Sequence, residues 1–232
     1  MHQLTDNVYQ LDRATGANAY LVVGVPDAGG SGVDGSDVDG SGVDGGNGAG
    51  VARSVLIDTG LGFGAEAVRA ELEAARDLPP VTDIVLTHYD PDHAGAAAAL
   101  QKTLGARVWI GRADAPILRQ KTAPPTRSRR MMNLFGRPRP PADLLEIGEE
   151  REIIPGLLAI PAPGHTPGHT IYTWRGVVFC GDAARLKDGR LMQFPSFLIS
   201  DKAEAVESEL LIASLRPRLV CPGHGKPGIL AR

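Results

Sequence analysis

Short apolar runs rich in β-branched residues alternate along the chain with longer stretches whose apolar positions recur at helical spacing. Residues 8–11 and 19–23 read as two strands of an opening hairpin or meander, and residues 54–57 as a third. Residues 65–76 carry apolar positions at helical spacing and stop before Pro79-Pro80, which predicts a surface helix. A buried strand over 83–86, an alanine-rich helix over about 94–104 and a strand over 107–110 follow. From Leu144 onward the runs shorten again, with strands at 152–154, 157–160, 170–174 and 177–179 and turns at Pro155-Gly156 and Arg175-Gly176. The last predicted helix covers 202–215. This order predicts an α/β (α+β) domain in which two sheets pack face to face with helices outside.

Two stretches break the pattern. Residues 26–50 repeat a Val-Asp-Gly theme and contain no aromatic residue, so they cannot bury enough surface to offset their ordering entropy, and a disordered Gly/Asp-rich loop is expected. A calcium loop would need a bidentate glutamate, which the segment lacks. The second stretch, a basic Pro-rich arm at about 119–141, holds Arg119, Lys121, Arg127, Arg129, Arg130, Arg137 and Arg139, with no carboxylate between Asp114 and Asp143. Charge runs usually lie on solvated faces, so a solvated connector anchored by Met131, Met132, Leu134 and Phe135 is expected. The alternative is an arm for an anionic substrate or a partner such as nucleic acid.

Composition narrows the class. An apolar content of 43% over 232 residues suffices for a core, and one domain over 1–232 is expected. No apolar run approaches the roughly 20 residues needed to cross a bilayer. The N-terminus lacks the basic-then-apolar pattern of a signal peptide, so a soluble, cytoplasmic protein is expected. Cys180 and Cys221 each end an apolar run and read as buried thiols, not a disulfide framework. The net charge of −3 reflects five aspartates inside the 26–50 loop (Asp27, Asp34, Asp37, Asp39 and Asp44); the rest of the chain is slightly basic.

The densest chemistry lies in Thr87-His88-Tyr89-Asp90-Pro91-Asp92-His93-Ala94-Gly95, where four ligand-type residues fall within six positions on a strand-to-helix turn. Ligand sites of α/β proteins gather beyond the carboxyl ends of strands. Three more ligand-type residues, His165, Asp182 and His224, stand in glycine-containing loops directly after strand-like runs. His165 and His169 are spaced i, i+4, but Pro167 and the flanking glycines argue against a helix, so His165 is read as a ligand and His169 as a supporting group. Asp58 is a candidate for the same support. Leu191, Met192, Phe194 and Phe197 are expected in the core, since apolar residues are usually inside, with the wall of an apolar pocket as the alternative.

In order along the chain, these residues resemble the metallo-β-lactamase-fold hydrolase superfamily, whose pattern is HxHxDH followed by a His, an Asp and a final His. The resemblance implies a four-layer αββα sandwich with a binuclear metal centre. His88, Asp90 and His165 would hold one ion, Asp92, His93 and His224 the other, and Asp182 would bridge. Asp90 stands where the second His is usual. Its carboxylate would make the site more anionic and shift preference toward Fe or Mn relative to zinc, which remains the first expectation by family frequency. The implied reaction is hydrolysis by a metal-bridging hydroxide, with Asp92 orienting it or passing on a proton. The chain is similar in its core to glyoxalase II-like enzymes, but only eight residues follow His224, where those carry a helical domain for glutathione. A small ester, thioester or lactone is therefore the expected substrate. The alternatives are an iron-dependent oxygenase or redox enzyme similar to the persulfide dioxygenases, or a nucleic-acid-processing protein using the basic arm. The extra domain or long exosite arm of RNA-cleaving members is not evident, which sets nucleic acid behind a small molecule.

Overall fold

The structure, a computed structural model, describes residues 1–24 and 52–231, without the side chains of residues 132–135. The loop expected at 26–50 lies outside the described residues.

The first half of the chain builds a seven-stranded sheet from β1 (His2–Thr5), β2 (Val8–Gln10), β3 (Tyr20–Gly24), β4 (Arg53–Ile57), β5 (Val81–Val85), β6 (Arg107–Gly111) and β7 (Leu144–Ile147), ordered in the sheet as in the chain. The strands pair antiparallel as far as β3–β4 and parallel from β4 to β7. Parallel neighbours need crossovers, and helices supply them. Helix α1 (Ala65–Ala74) joins β4 to β5, α2 (Pro91–Ala94) and α3 (Ala97–Leu104) join β5 to β6, and α4 (Ala115–Leu118) and α5 (Arg127–Gly136) join β6 to β7.

A second sheet of five strands has the order β14-β11-β10-β9-β8, from β8 (Arg151–Ile154), β9 (Leu157–Pro161), β10 (Thr170–Trp174), β11 (Val177–Gly181) and β14 (Leu219–Pro222). The hairpin β12 (Arg185–Lys187) and β13 (Arg190–Met192) and helix α6 (Lys202–Ser214) lie between β11 and β14, which pair parallel.

Strand alternation sets the layers. Val55 and Ile57 of β4 join Val22, Val85 and Trp109 in a core shared with Leu157, Tyr172, Trp174 and Phe179 of the second sheet. Leu56, between them, points the other way with Leu21, Ile84 and Val108, against Val68 of α1 and Leu100 of α3. The far face of the second sheet packs Ile171, Val178 and Val220 against Ile212 of α6. The result is the αββα sandwich. Cys180 and Cys221 are buried free thiols, and burial pushes Cys180 up to about 12. Among the described residues no helix is long and apolar enough to cross a membrane.

Two expectations need correction. The helix over 94–104 is broken into α2 and α3, because the Gly60–Gly62 loop lies directly on the break. A Cβ at Gly95 would sit 2.5 Å from the Gly62 nitrogen, and Gly60 accepts a hydrogen bond from the Ala96 N–H. The basic stretch is not simply a solvated connector. It forms α5, whose N-cap Thr126 accepts from the Arg129 N–H. Arg129 is buried, Arg119 pairs with Glu146, and Arg130 donates to the Pro124 carbonyl.

Candidate metal centre

The ligand-rich turn starts where β5 ends. Pro91 opens α2, a position that needs no N–H, and Asp90 stands at the N-cap without using its carboxylate as a cap. That leaves the Asp90 side chain free to face the site. Asp58, just after β4, orients the two histidines of the turn. Its Oδ1 accepts from the Thr87 N–H at 2.8 Å, and its Oδ2 accepts from the Thr87 hydroxyl and from His93 Nδ1, both at 2.8 Å. With its proton given to Asp58, the Thr87 hydroxyl can accept from His88 Nδ1 at 3.0 Å. Both rings are thereby oriented through Nδ1, which turns Nε2 toward the site. Asp58 itself has φ 56°, a left-handed conformation that these three bonds hold in place.

The second sheet brings the rest. His165 lies in the loop after β9, Asp182 follows β11 and His224 follows β14. Nε2 of His88 and of His165 lie 3.4 and 3.5 Å from Asp90 Oδ2. Nε2 of His224 and of His93 lie 3.2 and 3.9 Å from Asp92 Oδ2. Asp182 sits between the two sets, with Oδ1 3.4 Å from His93 Nε2 and Oδ2 3.5 Å from both His165 Nε2 and His224 Nε2. All seven ligand-type residues read from the sequence thus converge. Three triads, His88-Asp90-His165, Asp92-His93-His224 and His88-His93-Asp182, each have ligand atoms within 4.8 Å of one another. Gly223 permits this crowding, because a Cβ there would lie 2.4 Å from Asp182 Oδ1 and 2.6 Å from His93 Cε1.

His88 Nε2, His93 Nε2, His165 Nε2 and Asp182 Oδ1 are buried without a hydrogen-bond partner. Buried polar atoms are rarely left so. The electrostatics point the same way. Burial works against the charged forms, yet the His93 charge and the close approach of His224 hold Asp182 well below the usual carboxylate range. Burial likewise opposes a charged His93, but Asp182, Asp58 and Asp92 raise it well above an ordinary histidine. Hydrogen bonds to Asp182 and Asp92 carry His224 up to about 9. Carboxylates this dense draw positive charge, and metal ions would take the place of the histidine protons. The residues therefore fit divalent ions.

Residues 49–224 match the family described as Metallo-beta-lactamase superfamily. The chain belongs to that superfamily. It is 35% identical over 162 residues to YobT of Bacillus subtilis (strain 168), covering 63% of this chain and 68% of YobT. It is 31% identical over 148 residues to a hydroxyacylglutathione hydrolase of Fuscovulum blasticum, covering 62% of this chain but 48% of that enzyme, so the match spans about half the relative's length. Among solved structures, TTHA1623 in a di-iron-bound form superposes with a TM-score of 0.63 at 28% identity, covering 92% of this chain and 89% of that one.

Several parts of this superfamily member's site have no local signal in its sequence. Arg129 of α5 points its Nε at both oxygens of Asp90, at 2.9 and 3.0 Å, and is fully buried. Asp114 accepts from the Thr166 hydroxyl and the Gly168 N–H, each at 2.7 Å, and so fixes the loop that carries His165; its own burial raises it to about 6. His169 takes a supporting position, its Nε2 accepting from the Asp182 N–H at 3.1 Å. Of the four residues expected in the core, only Leu191 packs against a cluster there. Met192 and Phe197 are exposed, and Phe194 lies with its ring centre 5.0 Å from that of His165 and 6.1 Å from that of His224. The β13-to-α6 segment that carries Phe194 and Phe197 borders the site instead of filling the interior.

Proposed function

We propose that the chain is a metal-dependent hydrolase with a binuclear centre that cleaves a small ester, thioester or lactone. The observation that carries this reading is the set of buried ligand atoms without partners, contributed by both sheets. His88, Asp90 and His165 would hold one ion and Asp92, His93 and His224 the other, with Asp182 shared between them. Because the ligands come from both sheets, residues 1–232 would act as one domain. Two such ions, when bound, acidify a water and polarise a carbonyl or phosphoryl oxygen.

The chain's own groups supply the rest. Asp92 is more exposed than Asp90 or Asp182, at 24% for its side chain, and can orient a water or carry a proton on the open side. Phe194 shields one side of the histidines and offers an apolar surface to an acyl group. The name of the Fuscovulum blasticum relative, a hydroxyacylglutathione hydrolase, supports the thioester end of the substrate range. Imidazole and carboxylate donors suit zinc, which we take as the first choice, with iron or manganese next. A second reading, an iron-dependent oxygenase or redox enzyme of the same fold, draws support from the di-iron form of TTHA1623. Elemental analysis of the purified protein, with a hydrolysis screen of lactones, thioesters and phosphodiesters and a measurement of oxygen uptake, tests both. Two metal ions per chain and ester or thioester turnover are expected. A metal-free protein, or oxygen consumption without hydrolysis, overturns the proposal.

A further inference from the structure

Arg129 is the one residue of the basic stretch whose charge is turned fully inward. It stands in the first turn of α5, is 1% exposed, and reaches Asp90 through Nε. A guanidinium keeps its proton, so a fixed positive charge is held against a carboxylate that faces the metal centre. The two groups depend on each other. Nη1 and Nη2 of Arg129 are buried and have no acceptor among the described residues, so its hydrogen-bonded compensation rests on Asp90. Asp90 in turn shares its oxygens between Arg129 on one side and His88 Nε2 and His165 Nε2 on the other.

We propose that Asp90 and Arg129 act as one net-neutral ligand unit, in which Arg129 tunes which metal ion the His88-Asp90-His165 position prefers and how tightly it is held. This rests on the binuclear reading above. Of the carboxylates Asp90, Asp92 and Asp182, only the last two then present uncompensated charge to the ions. The preference for harder ions, argued from Asp90 alone, is cancelled by the arginine. The unit also ties α5 to the centre, where the Ser128 hydroxyl donates to the Phe197 carbonyl across the site's rim.

The test is a variant cycle of wild type, Asp90→His, Arg129→Met and the double variant. Each is reconstituted with zinc and iron, and metal content, affinity by chelator competition and the melting temperature of the metal-free protein are measured. Asp90→His alone strands a buried guanidinium beside the ions, so affinity is expected to fall by about tenfold or more, with a lower melting temperature. Arg129→Met added to it removes the stranded charge and makes room for the imidazole, and both losses are expected to recover. Arg129→Met alone leaves Asp90 uncompensated, so the iron-to-zinc ratio is expected to rise. A double variant as poor as Asp90→His, or an unchanged ratio in Arg129→Met, overturns the proposal. Should Asp90→His fail to fold, Arg129→Lys decides against Arg129→Met: the lysine variant is expected to keep the wild-type ratio, and equal shifts in both sink the charge argument. Wild-type protein that binds no metal would defeat the binuclear reading itself, whereas a metal-loaded wild type with an additive cycle defeats only the role of Arg129.

Discussion

Asp182 is the one carboxylate within 3.5 Å of ligand atoms from both the His88-Asp90-His165 and the Asp92-His93-His224 triads, so its loss would weaken both sets at once. Asp182→Ala is expected to abolish hydrolysis and to lower bound metal below two ions per chain. Full activity with metal retained would remove it from the bridging position. Asp58 belongs to none of the three ligand triads, yet its Oδ2 accepts from His93 Nδ1 and from the Thr87 hydroxyl. Asp58→Ala frees both rings to turn, and metal affinity is expected to fall by about 10- to 100-fold in chelator competition. An unchanged affinity would show that packing alone orients the rings. The seven ligand-type residues could be picked out of the sequence because they follow the ends of apolar strands and occur together in one order along the chain, where any one alone would have been weak. Arg129 and Asp114 could not. Their partners lie 39 and 52 positions away, and only the folded chain brings a basic helix onto Asp90 or an aspartate under Thr166.

Helix α6 shows how an element away from the ligand cluster still holds the loop that carries His165. Its N-cap Asp201 accepts from the Ala203 and Glu204 N–H groups, and the Ser200 and Asp201 N–H groups donate to the Gly164 carbonyl, one residue before His165. Ser208 Oγ adds a bond to the Pro163 carbonyl. Asp201→Ala is expected to cost about 1 kcal/mol. In a chain of this size that is roughly 2–4 °C in melting temperature, with metal content unchanged. A drop several times larger would show that the cap also holds the 163–165 loop. At the other end of the fold, β3 and β4 pair Gly24 directly with Arg53. Replacing residues 27–50 by a short Asn-Gly turn is therefore expected to leave the melting temperature unchanged or slightly raised, since a shorter loop closes at less entropic cost. A large drop would show that the segment contributes contacts. Central strands such as β5 and β10 were legible because apolar residues run through them. The edge strand β1 and the hairpin β12–β13 were not, as their residues are half-exposed and polar. Helix α5 escaped notice for a related reason: prolines and arginines mask a helix that is held by its contact with Asp90.

Across the whole molecule, the two sheets meet through an apolar core in the middle and through the ligand cluster at one end. His88, Asp90, Asp92 and His93 belong to the first sheet's loops, while His165, Asp182 and His224 belong to the second's. Without ions, that end holds carboxylates and histidines packed at 3.2–3.9 Å, with four buried ligand atoms lacking partners. Bound metal would turn this under-bonded seam into a cross-link between the sheets. Any ligand that binds only the folded chain stabilises it by mass action, by about 4 kcal/mol when free metal exceeds its dissociation constant roughly a thousandfold. For a chain of this length that corresponds to a rise in melting temperature on the order of 10 °C. Calorimetry of metal-loaded and chelator-treated protein checks it: the treated form is expected to melt earlier and to recover on adding back zinc. Equal melting temperatures, in a protein shown by elemental analysis to have lost its metal, would mean that the ions are not held jointly by the two sheets.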